Sequence, residues 1–244
     1  MAGKNYSNYV RDEKVKLLSC IEPWKLENCV LGQYAAGNGQ PGYLEDKTVP
    51  AGSIQPTYAC VVFFIHNKRW EGVPFIMKAG KALNERRAEV RLQLKSPPGG
   101  SQMFDGQEIP RNELVIRLQP EEAIYMKTNV KKPGLTTTIT QSELDLSYKQ
   151  RYEGIKIYDA YARLVLDVLR GKQAFFVRDD ELVTAWEVVT PLLEEIEKSK
   201  KKPIAYAFGS RGPAEADALI AKYGVVYNHK YAKEWRGSLP RTGK

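Results

Sequence analysis

Three segments near the middle of the chain alternate between apolar and polar residues. The first covers residues 87–95, where the even positions are apolar and the odd positions are polar. Residues 114–119 and 123–127 repeat this alternation. Because successive side chains of a strand point to opposite faces, each segment predicts a β-strand with one buried apolar face and one polar face.

Side by side in one antiparallel sheet, these strands would share a polar surface. Its positive charge, opposed only by Glu89, favours a polyanionic ligand such as phosphate. The same residue types also suit a charged outer surface that aids solubility, or a dimer interface. The members of this predicted surface are Arg87, Arg91, Arg117, Gln119, Tyr125 and Lys127.

A nearly continuous apolar run over residues 57–66 predicts a central strand that is buried on both faces. The turn at residues 67–72 returns the chain into residues 73–78, which predicts a hairpin. Residues 28–34 form a further strand candidate. These segments together predict an antiparallel sheet of about five or more strands.

Helical periodicity follows the strands along the chain. Apolar residues recur at helical spacing from Tyr161 to Leu169, and Gly171 ends this run. A third helix begins at Pro213, a residue favoured in the first turn. The second apolar stripe, between these two helices, consists of Leu182, Ala185, Trp186, Val189, Leu193 and Ile196. Both stripes predict core-facing sides, and the order of elements predicts an α+β fold with a large, mostly antiparallel sheet and helices packed on one face.

The same patterns predict three regions along the chain. Residues 1–9 are expected to be a disordered start, and residues 236–244 a basic tail. The α+β domain covers residues 10–235, and its first helix covers residues 10–20.

The composition, 43% hydrophobic and 27% charged, is that of an ordinary globular protein. No apolar run approaches the roughly 20 residues that span a bilayer, and the N-terminus lacks the apolar core of a secretory signal. The three cysteines lack CxxC spacing, which argues against a disulfide framework or a zinc site. A reducing, cytoplasmic compartment is therefore expected.

The net charge of +8 raises a nucleic-acid-binding alternative. Much of the excess lies in the lysines of residues 198–202 and in the last residues of the chain. The sequence has no zinc-finger, RRM or basic-zipper signature, and its basic runs are not interleaved with aromatic residues. We interpret the charge as a solvated surface and predict neither a nucleic-acid nor a membrane partner.

Residues 37–42 read GNGQPG, which matches the GxGxxG pattern of dinucleotide-binding loops. That pattern binds a dinucleotide when it opens a helix inside a βαβ unit. Here a proline lies inside it, and a second Pro-Gly-rich turn follows. The segment therefore predicts a loop.

Six sequence blocks, in order, resemble the C-terminal region of glucose-6-phosphate dehydrogenase. They are GVPFIMKAGKALNERRAEVRLQ, RNELVIRLQPEEAIYMKT, KKPG, SELDLSY, DAYARLVLDVLRG and FGSRGPAEAD. The resemblance extends from about residue 10 to residue 235. It implies NADP-dependent oxidation of glucose 6-phosphate to 6-phosphogluconolactone in the pentose phosphate pathway, by a cytoplasmic homodimer or tetramer. It also implies that the α+β domain is incomplete at its N-terminal side.

The resemblance assigns roles to residues on the turn after residue 80. In the family, the residues matching Lys81 and Arg86 bind the sugar phosphate, and the residue matching Gln119 contacts the sugar. Arg offers a two-pronged fork and Lys a mobile point charge to such a phosphate. From the residues alone, two exposed surface cations are the favoured interpretation of Lys81 and Arg86, and the resemblance reverses this preference.

Some family members bind an additional NADP molecule that stabilises the protein. Lys78 and Arg87 exchange Lys and Arg relative to that pattern, which keeps the charge and changes the fork geometry. Arg211, in the segment GSRGP before the third helix, would strengthen an anion site at that helix N-terminus, where a plain helix cap needs the same glycines. The matching ligands are Lys78, Arg87, Arg91, Arg117, Tyr125, Lys127, Asp145, Arg211 and Tyr227.

The family's hydride transfer uses a histidine base that a carboxylate holds in place. His66 and His229 are the two histidines of the chain, and neither lies in the family's histidine-bearing motif. We therefore predict no catalytic residue, no metal site and no turnover by this chain alone. The alternative is a non-catalytic chain that binds NADP or a sugar phosphate, or that pairs with a separate N-terminal half.

Overall fold

The computed structural model describes residues 2–104, 106–107 and 109–225. Tyr227, His229 and the basic tail lie outside the described residues. The chain divides into two compact units. The first unit comprises Met1–Asn84 and Lys156–Tyr223, and the second comprises Glu85–Ile155 and Gly224–Lys244.

The first unit is built around a four-stranded sheet in the order β3-β2-β1-β8. All neighbouring strands are antiparallel except β1 and β8, which run parallel. The strands are β1 (Cys29–Ala35), β2 (Tyr58–Phe64), β3 (Pro74–Gly80) and β8 (Ile204–Ala207). The helices of this unit are α1 (Ala2–Leu18), α3 (Ala160–Leu169), α4 (Asp179–Ser199) and α5 (Ala214–Lys222).

Helices cover both faces of this first sheet. On one face, Tyr58, Cys60 and Val62 of β2 pack with Leu219 and Ile220 of α5. The other face is covered by α4, and its buried cluster consists of Cys29, Leu31, Val61 and Leu192. The residues of β2 alternate between the two clusters, as a strand buried on both sides requires.

The second unit is a four-stranded antiparallel sheet in the order β4-β5-β6-β7, followed by the one-turn helix α2 (Tyr148–Arg151). Its most buried residues are Val115, Ala123 and Tyr125. The strands are β4 (Ala88–Gln93), β5 (Glu113–Gln119), β6 (Ala123–Lys131) and β7 (Ile139–Ser147). The three segments with alternating residues are therefore β4, β5 and β6.

The α+β class with mostly antiparallel sheets is confirmed, as is the loop at residues 37–42, where Gly37 and Gln40 exchange backbone hydrogen bonds. The arrangement differs from the prediction in two respects. Two four-stranded sheets stand in place of one large sheet, and the helices of the first unit lie on both of its faces rather than one. The first helix also begins at Ala2, where the sequence predicts a disordered start.

Burial differs from the prediction at the amphipathic elements. Most apolar side chains of the second sheet, predicted to be buried, are exposed, and Leu114, Ile116 and Met126 are only half-buried, whereas Val115, Ala123 and Tyr125 on the opposite face are buried. Tyr161, Val165 and Leu169 of α3 are exposed as well. In α4, Val188 and Leu192 are buried while the predicted Trp186 and Leu193 are exposed, because α4 turns a different side to the sheet.

Candidate functional site

The backbone of Lys81 is held firmly at the end of β3. Its N–H donates to the carbonyl oxygen of Thr57 at 2.9 Å, and its carbonyl oxygen accepts from the Tyr206 hydroxyl at 2.8 Å. The Tyr206 oxygen also lies 3.0 Å from Oγ1 of Thr57, and burial raises the pKa of Tyr206 above its ordinary value. The Lys81 side chain itself is exposed. A fixed backbone thus carries an accessible ammonium group.

The turn after Lys81 lies against the segment that leads into α5. Gly209 donates to the Ala82 carbonyl at 2.7 Å, and Asn84 donates to the Ser210 carbonyl at 2.8 Å. Leu83 and Ser210 also pair in parallel. These bonds fix the turn and the segment as one structure within the first unit.

Lys78 and Arg211, predicted as cofactor ligands, meet at one carboxylate. Arg211 Nη1 and Nη2 lie 3.1 and 3.4 Å from Asp217 Oδ2 and Oδ1. Lys78 Nζ lies 3.6 Å from Asp217 Oδ1. Two cations thus converge on the one carboxylate of Asp217.

Gly212, at the end of this segment, is needed for packing. Its φ is 100°, and a Cβ there would lie 2.6 Å from the Tyr58 ring. Pro213 is the N-cap of α5 and makes no side-chain capping bond. The tight turn therefore explains this glycine, as the interpretation of the segment as a plain helix cap requires.

The second sheet brings five predicted cofactor residues to one face. Arg91, Tyr125 and Asp145 share one row across the sheet with Val115, because the register pairs them directly. Arg117 and Lys127 flank this row, since each lies two residues from one of its members along the same strand. We call this surface the polar face.

Carboxylates on the polar face pair with its cations. Arg91 Nη2 lies 2.7 Å from Glu89 Oε1, and Arg91 Nη1 also pairs with Glu113. Lys127 Nζ lies 3.8 Å from Glu143 Oε1. The expectation that only Glu89 opposes the positive charge is wrong, because the strand register places Glu113 and Glu143 on the same face.

Electrostatics and burial act together at the centre of the polar face. Burial lowers the pKa of Arg91, but the carboxylates of Glu113 and Glu89 outweigh it and raise the pKa overall. Burial, and then the Glu89 carboxylate, raise the pKa of Tyr125. The guanidinium carbon of Arg117 lies 6.0 Å from the centroid of the Tyr125 ring. Because both pKa values are raised, Arg91 stays cationic and Tyr125 stays neutral near neutral pH.

The remaining predicted ligands lie at the margins of the second unit. Arg87 precedes β4, where Nη2 pairs with Glu85 and Nη1 lies 3.6 Å from Glu89 Oε1. Arg86 is exposed. Gln119 is exposed at the end of β5, opposite Ala88. Lys81 belongs to the first unit, and Arg86 and Gln119 belong to the second.

Three acidic residues of these clusters were not predicted from the sequence. Asp217 lies in the block FGSRGPAEAD, but its partners become visible only in the fold. Glu113 has a usable signal, since it lies an even number of residues from Arg117 and thus shares its face. Glu143 likewise lies an even number of residues from Asp145 and thus shares its face.

The structure offers little for proton transfer or metal binding. His66 is half exposed, and its Nε2 lies 3.5 Å from Glu22 Oε1. Among the described residues, no three His, Cys, Asp or Glu side chains cluster as a metal site would require. None of the described helices combines the length and apolar content needed to cross a membrane.

Comparisons with known proteins give one consistent result. The family described as "Glucose-6-phosphate dehydrogenase, C-terminal domain" matches residues 3–236. The cytoplasmic isoform of glucose-6-phosphate 1-dehydrogenase from Solanum tuberosum is 57% identical over 223 residues, which are 91% of this chain and 42% of the relative. The Dictyostelium discoideum glucose-6-phosphate 1-dehydrogenase is 52% identical, over 96% of this chain and 47% of that protein.

A solved structure agrees with the sequence relatives. It is described as glucose-6-phosphate dehydrogenase in complex with its substrate glucose-6-phosphate. It is 42% identical to this chain with a TM-score of 0.81, and the match covers 91% of this chain and 46% of that one. The chain thus spans less than half the length of the relatives it matches.

Proposed function

Because the chain belongs to the C-terminal domain family of glucose-6-phosphate dehydrogenase, we propose that it is the substrate-binding and dimerisation part of such an enzyme. The whole enzyme would oxidise glucose 6-phosphate with NADP in the cytoplasm, as the first step of the pentose phosphate pathway. The observation that carries this proposal is the family match over residues 3–236. The likeness to a solved glucose-6-phosphate dehydrogenase, at a TM-score of 0.81, supports it.

Lys81 is the proposed anchor for the sugar phosphate within the first unit. Its backbone is fixed by Thr57 and Tyr206, so only the freedom of the side chain remains to be lost when the ammonium meets a phosphate. Arg86 would add a planar fork to the phosphate, and Gln119 would donate to or accept from a sugar hydroxyl. These three roles come from the resemblance, and the exposure of all three side chains supports them.

The polar face is proposed to bind NADP away from the reaction. Its residues fit a nucleotide phosphate, since Arg91, Arg117 and Lys127 offer cationic donors beside the buried ring of Tyr125. A phosphate would take the place of Glu113 or Glu143 on these cations. Arg87 and Asp145 of the second unit are proposed to contact the same nucleotide. Lys78 and Arg211, which lie in the first unit, and Tyr227 are proposed as NADP ligands on the resemblance alone.

The chain alone is proposed to make no NADPH. In the whole enzyme NADP accepts the hydride, and a base must remove the proton of the sugar hydroxyl. His66, the histidine that the structure describes, pairs with Glu22 at the end of the first sheet and has no place in the family's catalytic motif.

Dimerisation is proposed to use the apolar face of the second sheet. Val90, Leu118 and Leu144 are exposed there, by 51%, 53% and 67%. Contiguous exposed apolar surface of this kind is characteristic of protein–protein contacts. Homodimers, or tetramers formed from them, would cover it.

The test is thermal unfolding of the chain with and without NADP, together with an assay for NADPH formation from glucose 6-phosphate. A rise in melting temperature without turnover is the expected result, because a ligand that binds only the folded state stabilises it. Turnover by the purified chain would refute the assignment of catalytic residues. Absence of any shift with both NADP and glucose 6-phosphate would refute the proposed binding sites in this chain.

A second candidate is a separately made, non-catalytic chain that binds NADP or a sugar phosphate, or pairs with an N-terminal half. The observation behind this candidate is that the chain covers only 42–47% of the length of its relatives. An upstream reading frame that encodes the Gly-rich loop and the histidine motif would favour the enzyme. A stop codon directly before Met1, with the protein found at this length, would favour the separate chain.

A further inference from the structure

Tyr206 is a buried tyrosine of β8 whose hydroxyl group bonds to residues outside its own strand. Its side chain is 5% exposed and packs against the ring of Tyr58, with the ring centroids 5.6 Å apart. A buried hydroxyl costs free energy unless it finds a hydrogen-bond partner. The Tyr206 oxygen lies 2.8 Å from the Lys81 carbonyl oxygen, nearer than to Oγ1 of Thr57 at 3.0 Å or to the Thr57 carbonyl oxygen at 3.3 Å. The single hydroxyl proton is therefore best placed on the Lys81 carbonyl.

The hydroxyl group of Thr57 supplies the bond that the Tyr206 oxygen can still accept. Its oxygen accepts from the backbone N–H of Tyr34 at 3.0 Å, which leaves the Thr57 proton to be donated to Tyr206. The donors then all point the same way, from the backbone of β1 through Thr57 and Tyr206 to Lys81. Hydrogen bonds in such a chain polarise and strengthen one another. We call these groups the Thr57–Tyr206 chain.

The last acceptor of the Thr57–Tyr206 chain is the peptide bond that enters the turn after Lys81. Ala82 follows this peptide with a φ of 51°, a left-handed conformation that residues with a side chain rarely adopt. Such a conformation persists only where the surrounding structure holds it. The Tyr206 hydroxyl holds the Lys81 carbonyl, and the N–H of Gly209 holds the Ala82 carbonyl at 2.7 Å. These bonds fix the direction in which the Lys81 side chain leaves the turn.

We propose that Tyr206 is a positioning residue for the sugar-phosphate anchor and acts through the backbone of Lys81. The inference rests on the proposed function, in which the Lys81 ammonium binds the phosphate of glucose 6-phosphate. Without the Tyr206 hydroxyl, the peptide between Lys81 and Ala82 gains freedom to rotate. That freedom must then be lost when the phosphate binds, which lowers the affinity.

The experiment is a double-mutant cycle on glucose 6-phosphate binding, measured by titration calorimetry on the whole chain. Tyr206→Phe keeps the ring and removes only the hydroxyl, and we expect it to weaken binding about fivefold. In a Lys81→Ala background the same change should weaken binding by less than about twofold, because the ammonium that it positions is no longer there. Circular dichroism before each titration shows that the variant is folded.

The matched control is Tyr58→Phe, which removes a hydroxyl from the neighbouring buried ring. That hydroxyl takes no part in the Thr57–Tyr206 chain, so its removal should leave the affinity unchanged. A second pair of variants tests the preceding link. Thr57→Val removes the hydroxyl and should weaken binding about threefold, whereas Thr57→Ser keeps it and should bind as the unaltered chain does. This pair decides the question if Tyr206→Phe does not fold.

The outcomes separate positioning from packing. If Tyr206 only packs the core, Tyr206→Phe lowers the melting temperature and leaves the affinity of the folded protein unchanged, which would overturn the inference. A loss of affinity that is equal with and without Lys81 would overturn it too, because Tyr206 would then act by another route.

Lys81→Ala separates this inference from the proposed function. If Lys81→Ala weakens binding while Tyr206→Phe and Thr57→Val do not, the inference fails and the proposed anchor stands. If the unaltered chain does not bind glucose 6-phosphate, or Lys81→Ala binds it as tightly, the proposed anchor fails and the inference fails with it.

Discussion

Two adjacent leucines of α4 differ sharply in burial, which allows a direct test of how this helix is oriented. Leu192 is 4% exposed and packs with Leu31 and Val61, whereas Leu193 is 44% exposed. Truncating a buried leucine to alanine removes apolar contacts and leaves a cavity, at about 2–5 kcal/mol. We therefore expect Leu192→Ala to lower the free energy of unfolding by about 3 kcal/mol. Leu193→Ala should lower it by less than about 1 kcal/mol.

Urea unfolding followed by tryptophan fluorescence measures this difference in the stability of the first unit, to which α4 belongs. Trp24, Trp70 and Trp186 lie in the first unit. With a denaturant dependence of about 2 kcal/mol per M, a loss of 3 kcal/mol lowers the urea midpoint by about 1.5 M. The melting temperature should fall by about 6–12 °C for Leu192→Ala. The slope of the transition should be the same for both variants, because the surface exposed on unfolding hardly changes.

The comparison also decides between two orientations of α4. The periodicity of the sequence places Leu193 in the core-facing stripe, while the structure places Leu192 there. Equal midpoints for the two variants, or a larger loss for Leu193→Ala, would refute the packing of α4 on the first sheet as described.

Three further predictions concern single residues. Burial, then the neighbouring Cys60 thiol, raise the pKa of Cys29 from 9.0 to about 11. The unfolded thiol therefore loses its proton first, so stability should fall by up to about 3 kcal/mol as pH rises from about 9 to about 11. Cys29→Ala should flatten that decline in urea titrations, and Cys20→Ala should not. Lys81→Ala should weaken glucose 6-phosphate binding about 10- to 100-fold by calorimetry, with partial recovery in Lys81→Arg; unchanged affinity would argue against the phosphate anchor. Glu113→Gln should lower stability by about 1–3 kcal/mol while tightening NADP, because Arg91 loses one of its two carboxylate partners and keeps Glu89; weaker NADP binding would contradict the proposed exchange of ligands.

Strand positions and shared faces were predictable because the strand period is local. The alternation over residues 87–95 and 114–119 predicts β4 and β5, and it places Arg91 and Arg117 on one face. Burial was not predictable in the same way, because it depends on which elements cover a face. The apolar face of the second sheet is largely exposed, because none of the described residues of the second unit form a layer over it.

Elements formed by contacts between distant residues were hardest to predict. The strand β8 has four residues and no alternation, and it forms because Tyr206 pairs with Tyr34 of β1. In the sequence, helical periodicity follows the three alternating segments, and β7 was not predicted as a strand. The SELDLSY block begins within β7 and ends at Tyr148 of α2, and it alternates too briefly to stand out without the partner strand β6.

The charge balance of the polar face determines how it can act. From the sequence, Arg91, Arg117 and Lys127 form a cationic surface ready for phosphate. In the fold, Glu113 and Glu143 stand beside two of these cations, so a ligand gains the strength of a new ion pair only after an existing one is broken. A nucleotide with several phosphate charges can replace several carboxylates at once, whereas a single phosphate replaces one. The face should therefore discriminate in favour of a dinucleotide over inorganic phosphate, through the same carboxylates that neutralise its cations when no ligand is bound.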